Sequence, residues 1–78
     1  MTDRLTNTLR DHRTAANLTQ ADLADLACVS RKTINTIENA IFVPSIVLSL
    51  RLAMILKTSV EDIFTLAHDD PAHDLDPT

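Results

Sequence analysis

The sequence TQADLADLACVSRKTINTIEN at residues 19–39 decides how this 78-residue chain folds. It begins with Thr19, a good helix N-cap, and Asp22 follows in the first helical turn, where an acidic side chain is favourable. Apolar residues then recur at helical spacing over residues 23–27, and the pattern breaks at residues 28 and 29. Because Ser30 is a second N-cap candidate, the stretch predicts two short helices joined by a tight turn.

The second of these helices has one apolar and one polar face. Ile34 and Ile37 mark the inner face, while basic, amide and hydroxyl side chains point outward. Such groups can hydrogen-bond base edges in the major groove of DNA, and a helix N-terminus favours phosphate. The two helices are therefore predicted to form a helix-turn-helix. The candidate base contacts are Arg31, Lys32, Asn35 and Thr36.

Each outward side chain has a chemical partner on DNA. Arg31 or Lys32 can bond guanine edges, at roughly 1–3 kcal/mol of discrimination for each good contact. Asn35 can pair with adenine, and Thr36 can touch a thymine methyl group. The alternative is that all four are solvated residues on an exposed helix.

With its flanks, the helix-turn-helix resembles the lambda-repressor-like family of bacterial and phage transcriptional regulators, of Cro/CI or Xre type. The resemblance covers residues 5–66, and the ordered set of matches is specific. The matching residues are Leu18-Thr19-Gln20, Leu23-Ala24, Val29-Ser30-Arg31, Thr33-Ile34, Ile37-Glu38-Asn39, Pro44-Ser45, Leu52-Ala53 and Ser59-Val60-Glu61-Asp62-Ile63-Phe64.

The resemblance implies an all-α domain of five helices, with helices two and three as the helix-turn-helix. It also implies phosphate contacts from Gln20 and Asn39. The alternative for Gln20 is a first-turn residue without a partner, and the alternative for Asn39 is a helix C-cap. Ser30 and Thr33 can reach phosphate too, although a capping role explains Ser30 equally well.

A salt bridge between helices one and three is implied by the same resemblance. It joins Arg13 to Glu38, and Arg13 is expected to share in phosphate contact. An exposed pair would contribute only about 0–1 kcal/mol, whereas partial burial would make the pair matter more for positioning.

Four positions that are commonly glycine in the family hold other residues, and the chain contains no glycine. A non-glycine residue held in the left-handed conformation costs on the order of 1 kcal/mol, so we expect either strained turns or slightly different backbones. Cys28, the only cysteine, is interpreted as a small half-buried filler of the turn, with a redox sensor or metal ligand as the alternative. The four residues are Asn17, Cys28, Ala40 and Lys57.

Composition and charge set further limits. The chain is 45% hydrophobic and 3% aromatic, which suits one small domain with a core of Leu, Ile, Val and Ala. A chain of this size buries only about 60% of its unfolded surface, so help from a partner surface is expected. The net charge is −4, but residues 1–67 hold seven basic and seven acidic residues, and the remaining four acids follow in the tail. A neutral domain predicts modest nonspecific affinity for DNA and strong salt sensitivity.

The remaining elements are predicted from capping and periodicity. Helix one is expected over residues 3–16, helix four over residues 45–56 after Pro44, and helix five over residues 59–66 with Ile63 and Phe64 inward. Helix four is apolar nearly all round, unlike an ordinary surface helix. Residues 68–78 are acidic and contain two prolines, so we expect a disordered tail beyond a domain at residues 1–67.

Several function classes are not expected. His68 and His73 accompany four aspartates, but their spacing matches no ordered ligand set, so we expect a solvated tail and no metal. There is no nucleophile–base constellation and no glycine-rich phosphate loop, so we expect neither an enzyme nor a cofactor. Without an apolar N-terminal run or a membrane-spanning stretch, we expect a cytoplasmic protein.

The linker between helices three and four is unusually apolar. Ile41, Phe42 and Val43 replace the basic or polar residues common in the family, and Val47 and Met54 lie one and two turns along helix four. Exposed apolar patches mark interfaces, so these five residues are the predicted dimer surface. The alternative is that Phe42 and Val43 pack into the core of their own domain.

The sequence therefore predicts a sequence-specific transcriptional regulator, a repressor that binds an imperfect palindrome as a homodimer, with half-sites about 34 Å apart. An antitoxin that also binds a toxin and a restriction–modification controller protein share the same DNA chemistry. A protein-interaction module that has lost DNA binding is the alternative from another class. The neutral domain and apolar linker favour that module, whereas Arg31, Lys32, Gln20 and Asn39 argue against it.

Overall fold

Five helices and one two-stranded sheet make up residues 3–68, the part of the chain that this computed structural model describes. The chain ends of this part pair as antiparallel strands, with Leu5 opposite Leu66. The elements are β1 (Asp3–Asn7), α1 (Leu9–Ala15), α2 (Gln20–Ala27), α3 (Arg31–Glu38), α4 (Ile46–Ile55), α5 (Val60–Ile63) and β2 (Phe64–His68).

The sheet corrects the prediction of an all-α fold. Residues 3–7 form a strand instead of opening helix one, and helix five ends at Ile63 instead of continuing to residue 66. Leu5 and Phe64 pack on the core, while Thr6 and Thr65 share the other face with their hydroxyl oxygens 2.8 Å apart. In segments this short, a few apolar residues fit both the strand period of 2 and the helix period of 3.6. Both segments form strands because they pair with each other.

Hydroxyl caps begin four of the described helices, as the sequence predicts. Thr19 Oγ1 accepts from the Asp22 backbone N–H, and the Asp22 carboxylate accepts from the Thr19 N–H in return, which completes a capping box. Ser30, Ser45 and Ser59 each accept from the backbone N–H three residues later. These caps fix where α2, α3, α4 and α5 begin.

Left-handed backbone occurs at each of the four family glycine positions. The φ angles lie between 57° and 60°, so these turns keep their shape without glycine. Cys28 ends α2 in this conformation and is exposed, which corrects the expectation that it is half-buried. The four residues are Asn17, Cys28, Ala40 and Lys57.

Glycine at one of these turns should stabilise the domain. Ala40→Gly is expected to raise the free energy of unfolding by about 0.5–1 kcal/mol, because relief of left-handed strain exceeds the added chain entropy. Urea denaturation measures the change. Ala21→Gly in helical α2 is the matched control and should lower stability by a similar amount. Equal losses in both variants would show that Ala40 carries no strain.

The core draws one or two fully buried side chains from each helix. Helix α4 contributes Leu52 on its inner side and leaves apolar residues on its outer side as well, as its pattern predicts. None of the described helices is long and apolar enough to cross a membrane. Of the predicted tail, His68 ends β2, and residues 69–78 lie outside the described residues. The fully buried large side chains are Leu9, Leu23, Ile34, Ile37, Leu52 and Ile63.

Candidate nucleic-acid interface

Helices α2 and α3 meet at a shallow surface concavity of about 290 Å³. Its lining consists of Gln20 from the first turn of α2 and Arg31, Lys32 and Asn35 from α3. The structure thus brings three of the predicted base contacts together with one predicted phosphate contact. Two cations and two amides can bind phosphates and base edges.

The cap of α3 determines where the two cations lie. Ser30 Oγ accepts from the Thr33 N–H at 3.1 Å, so Arg31 and Lys32 occupy the first helical turn. Both side chains are exposed, and within residues 3–68 neither has an ion-pair or hydrogen-bond partner. Their charges add to the partial positive charge of the helix N-terminus and are available to an anionic ligand.

The hydroxyls of α3 are engaged within the helix. Thr36 Oγ1 donates to the backbone oxygens of Lys32 and Thr33, at 3.0 and 2.9 Å. Ser30 Oγ and Thr33 Oγ1 lie 2.9 Å apart. Because its proton is used locally, Thr36 retains its methyl group and oxygen lone pairs for a base.

A buried carboxylate lies behind the concavity. The Glu38 side chain is fully buried, and Arg13 donates to it twice, from Nε to Oε2 at 2.6 Å and from Nη2 to Oε1 at 3.2 Å. Arg10 Nε and Gln20 Nε2 also donate to Oε1, at 3.3 and 3.1 Å. One carboxylate therefore links α1, α2 and α3.

The charges in this cluster shift one another's protonation. Burial raises the pKa of Glu38, but hydrogen bonds from Arg13 and Gln20 more than offset it, so the net pKa lies below its ordinary value. The hydrogen bond to Glu38 raises the pKa of Arg13. The ion pair is therefore fully charged at neutral pH.

The structure adds Arg10 to the predicted Arg13–Glu38 pair. Arg10 precedes Arg13 by three residues, so both lie on one face of α1, and this spacing is a signal that the sequence contains. The Arg10 side chain is 58% exposed, whereas that of Arg13 is 12% exposed. Arg10 is thus the more accessible cation at this edge of the interface.

Asn39, the predicted phosphate contact after α3, is also held by side chains. Its Nδ2 donates to the backbone oxygen and to Oδ1 of Asn35, at 2.9 and 3.2 Å. Arg10 Nη2 donates to Asn39 Oδ1 at 3.5 Å. The Asn35–Asn39 contact is a pair that the sequence analysis did not single out.

Seven exposed apolar residues form a second surface, which we term the α4 patch. They include the five predicted dimer residues, and their exposed fractions range from 46% to 80%. Phe42 and Val43 belong to this surface and do not pack into the core. Ile46 and Leu50, not predicted, join Met54 at a spacing of four residues along one side of α4. The α4 patch comprises Ile41, Phe42, Val43, Ile46, Val47, Leu50 and Met54.

Hydrogen bonds connect the α4 patch to the helix-turn-helix. The backbone N–H groups of Ile41 and Phe42 donate to the Thr36 carbonyl, at 2.9 and 3.2 Å. Arg51 Nη1 donates to the Ala27 carbonyl at 2.9 Å, at the C-terminus of α2. These bonds tie the linker to α3 and α4 to the end of α2.

A metal centre is not formed by the described residues. Residues 3–68 contain no group of three or more histidine, cysteine, aspartate or glutamate side chains that could hold an ion. The second histidine of the predicted tail, His73, lies outside the described residues.

Comparisons with known proteins agree on one family. A family model described as helix-turn-helix matches residues 9–63. The chain is 41% identical over 64 residues to an uncharacterised HTH-type transcriptional regulator of Methanocaldococcus jannaschii, covering 82% of this chain and 97% of that protein.

Two solved structures share the fold. The restriction-modification controller protein C.AhdI from Aeromonas hydrophila is 33% identical with a TM-score of 0.65, over 69% of this chain and 82% of that chain. The clp gene regulator ClgR from Corynebacterium glutamicum is 28% identical with a TM-score of 0.66, over 69% of this chain and 57% of that chain.

Proposed function

Since this chain belongs to the lambda-repressor-like, Cro/CI or Xre-type, helix-turn-helix family of DNA-binding transcriptional regulators, we propose that it is a repressor that binds a palindromic operator as a homodimer. The observation that carries the proposal is the concavity between α2 and α3. There Arg31 and Lys32 are exposed and have no partner within residues 3–68, beside two amide side chains. This arrangement suits an anionic ligand that carries hydrogen-bonding edges, as the major groove of DNA does.

In this proposal α3 lies in the major groove. The side chains that read base edges lie on the exposed side of α3 or border it. They are Arg31, Lys32, Asn35 and Thr36. The residues that contact phosphate flank them and fix the register of the domain on the duplex. These flanking residues are Gln20, Ser30, Thr33, Asn39 and Arg13, with Arg10 as the more exposed arginine of α1.

The α4 patch supports the homodimer. Its seven residues lie within residues 41–54, and each of them is at least 46% exposed. Large exposed apolar patches mark interaction sites, because a monomer rarely leaves such a patch in water. A second copy would cover it, and two-fold symmetry would place two α3 helices about 34 Å apart, one helical turn of DNA.

Selection of bound sequences from a random duplex pool tests the proposal. Selections at low and at physiological salt should both yield a palindrome with half-sites one helical turn apart. Because residues 1–67 carry no net charge, nonspecific binding should be weak, and it should fall with salt because it depends on contacts from Arg and Lys to phosphate. Enrichment of no sequence at either salt would overturn the proposal in favour of a protein-interaction module.

Arg31→Ala should separate base readout from phosphate contact. Loss of one good base contact should weaken operator binding about 10- to 100-fold and leave nonspecific binding much less affected. Fluorescence anisotropy with operator and scrambled duplexes measures both affinities. Lys57→Ala removes an exposed cation from the end of α4 and is the charge-matched control. Equal losses on both duplexes would make Arg31 a phosphate contact.

A restriction–modification controller is the second candidate role. The likeness to C.AhdI, at 33% identity, favours it. Both roles use the same DNA-binding surface, and they differ in the genes that the operator adjoins. Mapping the selected operator in the source genome distinguishes them, since a controller site should adjoin a methyltransferase or endonuclease gene.

A further inference from the structure

We propose that Asn39 is a positioning residue for base readout, which holds the side-chain amide of Asn35 in one orientation on the exposed face of α3. The inference rests on the proposed DNA-binding function and deepens it, and for Asn39 it replaces the phosphate contact with a part in base readout. The two residues are four apart, so their side chains meet on one face at the C-terminal end of the helix. Asn35 lines the concavity with the two cations.

The contacts of Asn39 restrain it on two sides. Its Nδ2 donates to the Asn35 backbone oxygen at 2.9 Å and to Asn35 Oδ1 at 3.2 Å. Its own Oδ1 accepts from Arg10 Nη2 at 3.5 Å. Arg10 in turn is paired with the buried carboxylate of Glu38. The Asn39 amide is thus connected to the link between α1 and α3.

The restraint sets the hydrogen-bonding character of Asn35. A planar amide whose oxygen accepts from Asn39 directs its NH2 group away from Asn39. The Asn35 NH2 group thereby becomes the end that is free to donate to base acceptors. An unrestrained amide could flip and present either a donor or an acceptor, so it would distinguish bases less well.

This role differs from a phosphate contact in what it predicts. A phosphate contact supports binding to every sequence about equally, because phosphates carry no sequence information. A positioning residue changes the preference at a single base pair, the one that Asn35 reads. The two roles can therefore be separated by specificity.

A double-mutant cycle on the selected operator tests the inference. Asn35→Ala first identifies the base pair whose preference it abolishes. Asn39→Ala should then reduce discrimination at that same base pair by roughly two- to tenfold, the range expected for loss of one net hydrogen bond. In the Asn35→Ala background, Asn39→Ala should have no further effect on discrimination.

Other outcomes overturn the inference without affecting the proposed function. A uniform loss on all duplexes, additive with Asn35→Ala, would make Asn39 a phosphate contact. Unchanged discrimination in Asn39→Ala, with the wild-type palindrome intact, would leave Asn39 with no part in readout. Failure of the wild-type chain to select any sequence would instead refute DNA binding itself.

Folding of the variants can be checked directly. Asn39 is exposed and its backbone φ of −91° suits alanine, so Asn39→Ala should have the same melting temperature as the wild-type protein. If it does not, Asn39→Ser provides the second variant, because serine is too short to reach Asn35 Oδ1. Asn39→Ser should show the same loss at the same base pair, and retained discrimination there would also overturn the inference.

Discussion

Replacing Glu38 by alanine is expected to lower the free energy of unfolding by about 3–5 kcal/mol, the usual cost of breaking a buried ion pair by removing one partner. The substitution leaves the Arg13 guanidinium, 12% exposed, without its carboxylate. Gln20 and Arg10 also lose an acceptor, so three helices lose their common link. Small domains have free energies of unfolding of about 5–15 kcal/mol, so the loss is a large fraction of the total. The variant should therefore melt well below the wild-type melting temperature.

Urea denaturation followed by circular dichroism measures this effect. Glu61→Ala, which removes an exposed carboxylate from α5, is the matched control and should change stability by less than about 0.5 kcal/mol. If Glu38→Ala is as stable as Glu61→Ala, the ion pair contributes nothing to the fold.

The pH dependence of stability follows from the same carboxylate. The folded pKa of Glu38 is lower than its ordinary value of 4.5, so the unfolded chain binds the proton more readily. The stabilisation is complete above that ordinary value and is lost as the pH falls through the folded pKa. The pKa values of Asp22 and Asp62 are also lowered, by hydrogen bonds from Thr19 and Ser59. Glu38→Ala should therefore reduce the acid destabilisation without abolishing it.

Met54→Glu should convert the proposed homodimer to monomers and weaken operator binding by about 10²- to 10⁴-fold. Met54 is 80% exposed in the α4 patch, so the substitution costs the single chain little but places a carboxylate in the proposed apolar interface. A monomer engages one half-site and loses the gain from linking two binding events. Sedimentation velocity measures the oligomeric state, and fluorescence anisotropy measures the affinity.

Two matched variants control for this substitution. Met54→Leu keeps the apolar surface and should remain dimeric. Leu26→Glu places the same charge on an exposed leucine of α2, outside the α4 patch, and should also remain dimeric. A Met54→Glu protein that still sediments as a dimer would place the dimer surface elsewhere.

Local patterns in the sequence were sufficient to predict the helix-turn-helix. Thr19 with Asp22 and Ser30 define where α2 and α3 begin, because a cap is made by residues three apart. For the turn at Cys28 the family resemblance left two alternatives open, a strained left-handed backbone or a slightly different one, and the structure has the left-handed backbone. The Arg13–Glu38 pair spans 25 residues, and it came from the family resemblance instead of from local spacing.

The features that the sequence did not predict depend on contacts between residues far apart in the chain. Leu5 pairs with Leu66 across most of the chain, and that pairing turns two apparent helix ends into strands. Gln20 reaches Glu38 on another helix, which connects a predicted phosphate contact to the buried carboxylate. Periodicity and capping depend on neighbours within about one helical turn, so the sequence alone determined the recognition motif. Strand pairing and the shared carboxylate require segments far apart in sequence to meet, so only the tertiary structure decided the sheet, the support behind the concavity and the extent of the α4 patch.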